Sequence, residues 1–176
     1  MGKKPTARFV NGILAIAIAA FFAVHGIFGA VSAFVDIPRG LAWLVWAGVV
    51  VVGVHVLVSV VTSYQQMADK ERPPSPRKKR HLVLKWATGG ALAAAAAMHI
   101  VDMQMASGSL EGAGATGLVT LLTLIAFVAV HVCVGARSFL KDIGADRNRK
   151  NIVRIATCVV CAAIAIACIM GLSGKM

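Results

Sequence analysis

Acidic side chains are scarce in this sequence, seven against eighteen lysines and arginines over 176 residues. That scarcity argues against a carrier built around midplane carboxylates, because only Asp102 approaches the apolar interior, and it sits near one end of its run. Cysteine is limited to Cys133, Cys158, Cys161 and Cys168, all inside apolar runs, which excludes a disulfide scaffold. Cys158-Val-Val-Cys161 has the spacing of a redox or metal pair, yet no second pair accompanies it, so these thiols read as small buried side chains. No glycine-rich dinucleotide fingerprint and no iron–sulfur run of cysteines occurs in this sequence. Nor is there a polar stretch long enough for a soluble catalytic domain. The longest, DKERPPSPRKKR at 69–80, holds three prolines and six basic residues and reads as an extended segment with no core of its own. No internal repeat is evident.

What the sequence has in abundance is apolar surface: 59% hydrophobic residues and a mean hydropathy of +0.81. A soluble domain would carry roughly half apolar residues. Five runs, at about 9–35, 41–63, 82–103, 117–136 and 152–172, are each long enough to cross ~30 Å of hydrocarbon at ~1.5 Å per residue. The expected fold is therefore all-α, one integral membrane bundle of five transmembrane helices spanning 1–176. The first run is too long for a signal-peptide core, and Phe34-Val35-Asp36 offers no small-residue cleavage pattern, so it reads as a retained helix.

A formal charge of +11 could point to nucleic acid, but the placement of the charges points to topology instead. Lys3, Lys4 and Arg8 precede the first run; Lys70, Arg72, Arg77, Lys78, Lys79, Arg80 and Lys85 lie between or just inside the second and third. Arg137, Lys141, Arg147, Arg149, Lys150 and Arg154 lie between the fourth and fifth. Sixteen of eighteen basic residues thus share one side, and only Arg39 and Lys175 fall on the other. By the positive-inside rule the N-terminus and both basic loops are cytoplasmic, and the C-terminus is outside. The partner this charge implies is the lipid bilayer or a docked protein, with no nucleic acid.

Five histidines interrupt the apolar pattern. His81 follows Arg77-Lys78-Lys79-Arg80 and reads as an interfacial polar residue. His25, His55, His99 and His131 fall one per run on four successive runs. An imidazole at such depth is costly unless it faces the protein interior and is used. Counted from the cytoplasmic edge, His25 and His99 sit about 24 Å up, while His55 and His131 sit only about 9–14 Å up. Two pairs at two levels match two six-coordinate haems stacked across a membrane, each iron taking one neutral imidazole per face. A zinc site would want three or four ligands converging at one level. Gly26 and Gly29 near His25, Gly53 near His55, Gly89 and Gly90 below His99, and Gly135 after His131 would let a flat macrocycle lie close to backbone, although small residues also serve ordinary helix packing. Arg137, six residues past His131 and so about 9 Å nearer the cytoplasm, is placed either to bind a haem propionate or to anchor the helix end.

This arrangement resembles the dihaem cytochrome b membrane anchor of succinate:quinone oxidoreductases, the succinate dehydrogenase and quinol:fumarate reductase group with a single five-helix anchor. The resemblance rests on topology and histidine placement over all five runs. It implies that His25 and His99 ligate an outer haem b iron and that His55 and His131 ligate an inner one. It further implies a bacterial cytoplasmic (inner) membrane location and a quinone, menaquinone, as the membrane substrate. Its partners would be a flavoprotein subunit and an iron–sulfur subunit on the cytoplasmic face, in a dimer of heterotrimers. The chain would then be the quinone-reactive subunit of an enzyme that interconverts succinate and fumarate. Asp36, in the connection where that family keeps an acidic quinone-site residue, and Asp102, one turn beyond His99, are the candidate proton-exchanging groups. Some members carry a glutamate beside the fourth-helix ligand; the flank FVAVHVCVG has none. Two other readings stand beside this one: a different dihaem cytochrome b, such as a cytochrome b561 or the anchor of another oxidoreductase, and a haem-free transporter or structural protein with buried histidines.

Overall fold

A computed structural model of the chain describes residues 7–32, 34–35, 42–68, 73–106 and 110–173. Five helices occupy them: α1 (Ala7–Ser32), α2 (Ala42–Ala68), α3 (Pro76–Met105), α4 (Leu110–Asp142) and α5 (Arg147–Ser173). The architecture is all-α among the described residues. Four helices contain stretches long and apolar enough to cross a membrane, at Phe9–Ser32, Val45–Ala68, Gly114–Lys141 and Arg147–Ser173. Their surface matches that composition: Leu57 is 68% exposed, Val50 66% and Ile155 64%, an outward display that water would penalise and lipid would not. These are the features of a multi-pass membrane protein.

The third helix differs from the expectation of a fifth equivalent span. With 30 residues it is long enough, but Lys85, Gly89, Gly90 and the alanine run keep it below the apolar content of the other four. It also begins earlier than 82. Ser75 closes its first turn, its hydroxyl accepting from Lys78 N at 3.4 Å and its carbonyl from Lys79 N at 3.0 Å, and Pro76 supplies a first-turn residue that needs no donor. Arg77-Lys78-Lys79-Arg80 is therefore helical, not extended. α4 likewise begins at Leu110, ahead of the fourth apolar run. Gly114 breaks that helix with φ 59° and ψ −151°, values open only to glycine.

α4 and α5 pack against each other, joined by a tight reverse connection. Gly144, at φ 74°, donates to Lys141 O at 3.1 Å, and Ala145 N reaches back to Leu140 O at 2.8 Å, the paired bonds of a Schellman cap. Asp146 then caps α5, its Oδ1 accepting from Arg149 N at 2.7 Å.

The chain divides into two compact units, Met1–Phe22 with Pro38–Val83, and Ala23–Ile37 with Leu84–Met176. In the first, Ser59 Oγ donates to Asn11 Oδ1 at 3.0 Å, tying α2 to the start of α1. Gly48 is buried where a Cβ would run into the Phe21 ring. In the second, Ala30, Ala95, Leu124, Cys168 and Leu172 are buried, a core of mostly small side chains suited to close helix approach. Buried threonines return their hydroxyl protons to their own helices, as with Thr62 to Val58 O (2.7 Å) and Thr120 to Thr116 O (3.0 Å).

Candidate functional site

The second unit holds three of the four histidines singled out from the sequence. His25 and His99, both half-buried, come from α1 and α3, and they lie within Coulombic reach of one another. Asp102 acts on His99 over the same range, as its position one turn further along α3 requires. Two atoms of this group, His99 Nδ1 and Asp102 Oδ2, are fully buried without a hydrogen-bond partner among the described residues. A buried polar atom left unpaired costs about 1–3 kcal/mol, so each calls for an explanation, and a bound group that supplies the partner is one.

His131, on α4, is seated on α3. Its Nδ1 lies 3.0 Å from Thr88 Oγ1, and its Cε1 faces Gly89, where an added Cβ would approach it to 3.2 Å. Thr88 is buried, and its hydroxyl also meets Leu84 O at 2.9 Å and Lys85 O at 3.2 Å. Gly135, half-buried one turn past His131, has no described atom within 4 Å of its missing Cβ, leaving room beside the ring. The sequence did not single out Thr88; its only signal is a hydroxyl directly before Gly89-Gly90.

His55 belongs to the first unit, half-buried on α2, with its Nδ1 fully enclosed. Gly53 beside it and Gly29 beyond His25 are exposed, with nothing against their missing side chains. Gly26 packs on Ile164 of α5 instead, its missing Cβ 2.9 Å from Ile164 Cδ1. Some of the glycines read from the sequence as a macrocycle bed are therefore helix contacts. Arg137 is exposed on α4. His81 is half-buried at the start of α3. Asp36 lies outside the described residues.

The thiols differ from their expected burial. Cys168 is buried, but Cys133 and Cys161 are only half-buried and Cys158 is exposed. Cys133 and Cys158 lie near one another across the α4–α5 contact.

No protein family, curated protein or solved structure matches the chain. Its chemistry must be argued from the residues themselves. Among the described residues no three His, Cys, Asp or Glu side chains converge to hold a bare metal ion. A porphyrin iron needs only one imidazole on each face, so the donor set to test is a pair. The residues of the second unit fit that need. Two neutral-capable imidazoles on different helices lie near each other, one with an orphaned nitrogen, and a third sits on a glycine with space at Gly135. An apolar groove of about 260 Å³ lies between α1 and α5, with Ile27, Ala30, Phe34, Ala163 and Ile164 in its walls.

Proposed function

We propose that this protein is the dihaem cytochrome b membrane anchor of a succinate:quinone oxidoreductase, passing electrons between a membrane quinone and an iron–sulfur subunit. The observation that carries the reading is one histidine inside each of the first four helices, with His25 and His99 brought within Coulombic reach inside one unit. His25 and His99 would hold the outer haem b and His55 with His131 the inner one, each offering a neutral imidazole nitrogen. Bound haem supplies reversible one-electron transfer at its iron. The chain's own work is to fix the imidazoles from rigid helices, to keep water out with apolar and small side chains, and to exchange protons at its outer carboxylates, Asp36 or Asp102.

The remaining features follow from the same reading. All five helices cross a bacterial cytoplasmic membrane, α3 included, with the basic ends of α3, α4 and α5 toward the cytoplasm. Those ends, carrying Arg77–Arg80 and Arg147–Arg154, offer docking charge to the flavoprotein and iron–sulfur subunits. The groove between α1 and α5 has an apolar lining suited to the isoprenoid tail of menaquinone. A cytochrome b561-like protein is the competing reading, since alternate pairing of histidines on successive helices also serves that group.

The deciding experiment is a reduced-minus-oxidised spectrum of the purified chain with haem counted per polypeptide. Two haems per chain are expected, with His25→Ala and His99→Ala removing one spectral component and His55→Ala and His131→Ala the other. A sample with no Soret absorbance refutes the reading, and loss of the same component from His25→Ala and His55→Ala refutes the pairing. Co-purification of a flavoprotein separates the anchor from a cytochrome b561.

A further inference from the structure

We propose that Thr88 sets the tautomer of His131, holding the proton on Nδ1 so that Nε2 presents its electron pair. The argument is a count of protons. Thr88 Oγ1 lies 2.9 Å from Leu84 O, 3.2 Å from Lys85 O and 3.0 Å from His131 Nδ1. A hydroxyl has one proton to give and two lone pairs to receive. Both carbonyl oxygens can only accept. If Thr88 donated to His131, its oxygen would face two carbonyls at hydrogen-bonding distance with no proton between them. If instead it donates to Leu84 O, the contact to the ring is satisfied only by Nδ1–H donating to Oγ1. The second arrangement places a proton in the two shorter contacts, running from Nδ1–H to Oγ1 and from Oγ1–H to Leu84 O, and leaves only the 3.2 Å approach to Lys85 O without a proton of its own.

Burial makes the distinction matter. Thr88 is 8% exposed, so water does not compete for its hydroxyl. Gly89 confines the same ring from the next position, its missing Cβ 3.2 Å from Cε1 and 3.7 Å from Nδ1. Thr88 and Gly89 together fix both the proton and the plane of the imidazole. Which nitrogen of a histidine binds a metal is set by the hydrogen bond that the other makes, commonly to a backbone carbonyl or a carboxylate. Here a threonine hydroxyl intervenes and passes the bond on to a carbonyl of α3. Thr88 is thus a positioning residue for an iron porphyrin ligand. That consequence rests on the haem reading; the tautomer does not.

The test uses the full-length chain in bilayers, labelled with nitrogen-15 at histidine and studied before haem is added. The pH is set about two units above the ordinary imidazole pKa of ~6.5. The His131 resonances are identified by their loss in His131→Gln. The wild type is expected to show a protonated Nδ1 and an unprotonated Nε2. In Thr88→Val the ratio of Nδ1–H to Nε2–H forms should fall roughly fivefold or more, the effect of one hydrogen bond, and Thr88→Ser should restore it. A wild-type spectrum with the proton on Nε2 overturns the assignment without any variant, as does a folded Thr88→Val with an unchanged ratio. Haem titration into the same samples then reads the ligand role. The inner component should bind more weakly in Thr88→Val by a similar factor, with rescue by Thr88→Ser. A wild-type chain that shows the Nδ1–H form yet takes up no haem overturns the haem reading and leaves the tautomer in place.

Discussion

Gly89 and Gly90 are neighbours in sequence with opposite surroundings, and replacing each by alanine separates helix stability from ligand seating. Alanine in a helix interior is favoured over glycine by about 0.5–1 kcal/mol, because glycine loses more backbone freedom on folding. At Gly90 the new methyl meets no described atom within 4 Å, so Gly90→Ala should gain that whole amount. At Gly89 it lands 3.2 Å from His131 Cε1, a few tenths of an ångström inside ordinary contact. Relieving such an overlap costs about 1 kcal/mol or more, which cancels the backbone gain. The ring must tilt away, and the 3.0 Å bond to Thr88 lengthens toward the distance at which it stops contributing. Gly89→Ala is therefore expected near wild-type stability and Gly90→Ala about 0.5–1 kcal/mol above it. In haem titration Gly89→Ala alone should weaken one of the two components, the one shared with His131. Unfolding in mixed detergent, followed by helical dichroism, gives the first quantity. A Gly89→Ala variant stabilised as much as Gly90→Ala, with haem uptake unchanged, would show that the ring does not lie over Gly89.

Three further outcomes are expected. Arg137→Gln should lower the inner haem's midpoint potential by on the order of tens of millivolts if the guanidinium faces a propionate, the exposure of the site limiting the effect; an unchanged potential leaves Arg137 as a helix-end anchor. Asp36→Asn and Asp102→Asn, each assayed for quinol oxidation and separately for both haem signals, should identify the proton-exchanging carboxylate as the one whose loss stops turnover with both haems retained. Unimpaired turnover in both removes the proposal. Asp146→Ala should destabilise the α4–α5 pair by about 0.5–2 kcal/mol through loss of the cap, with Asp146→Asn close to wild type; equal losses in both would assign the effect to charge instead of the hydrogen bond to Arg149 N.

Helix number was legible because long apolar runs have few alternatives in lipid, where every backbone group must bond internally. Helix ends were not. α2 runs on to Ala68, α3 starts at Pro76, α4 reaches Asp142 and α5 starts at Arg147, each several residues past its apolar run. Hydropathy marks where the chain suits hydrocarbon, whereas Lys, Arg and Gln are good helix formers that continue a helix into water. The histidines were legible one by one, since an imidazole in an apolar run stands out. Their surroundings were not, because the residues that seat them look ordinary. A threonine in an apolar helix is common, and nothing in Thr88-Gly89-Gly90 says which neighbour will lie against it. Gly26 and Gly89 show the same limit: the sequence marks small residues without saying whether a helix, a ring or a cofactor takes the space.

The four-residue connection Ile143–Asp146 also bears on how the chain is made. α4 leaves the ribosome with nothing from α5 to cover it, while Cys168, Gly171 and Leu172 of α5 become buried only once their neighbours are present. At ~5–20 residues per second, the 27 residues of α5 take about 1–5 s to emerge. The connection is too short to let α5 stray, and the Schellman cap and Asp146 turn the nascent chain back on itself as soon as they are synthesised. On the proposed topology, α4 and α5 enter the bilayer as one hairpin, with Arg147, Arg149 and Lys150 retained on the side of synthesis.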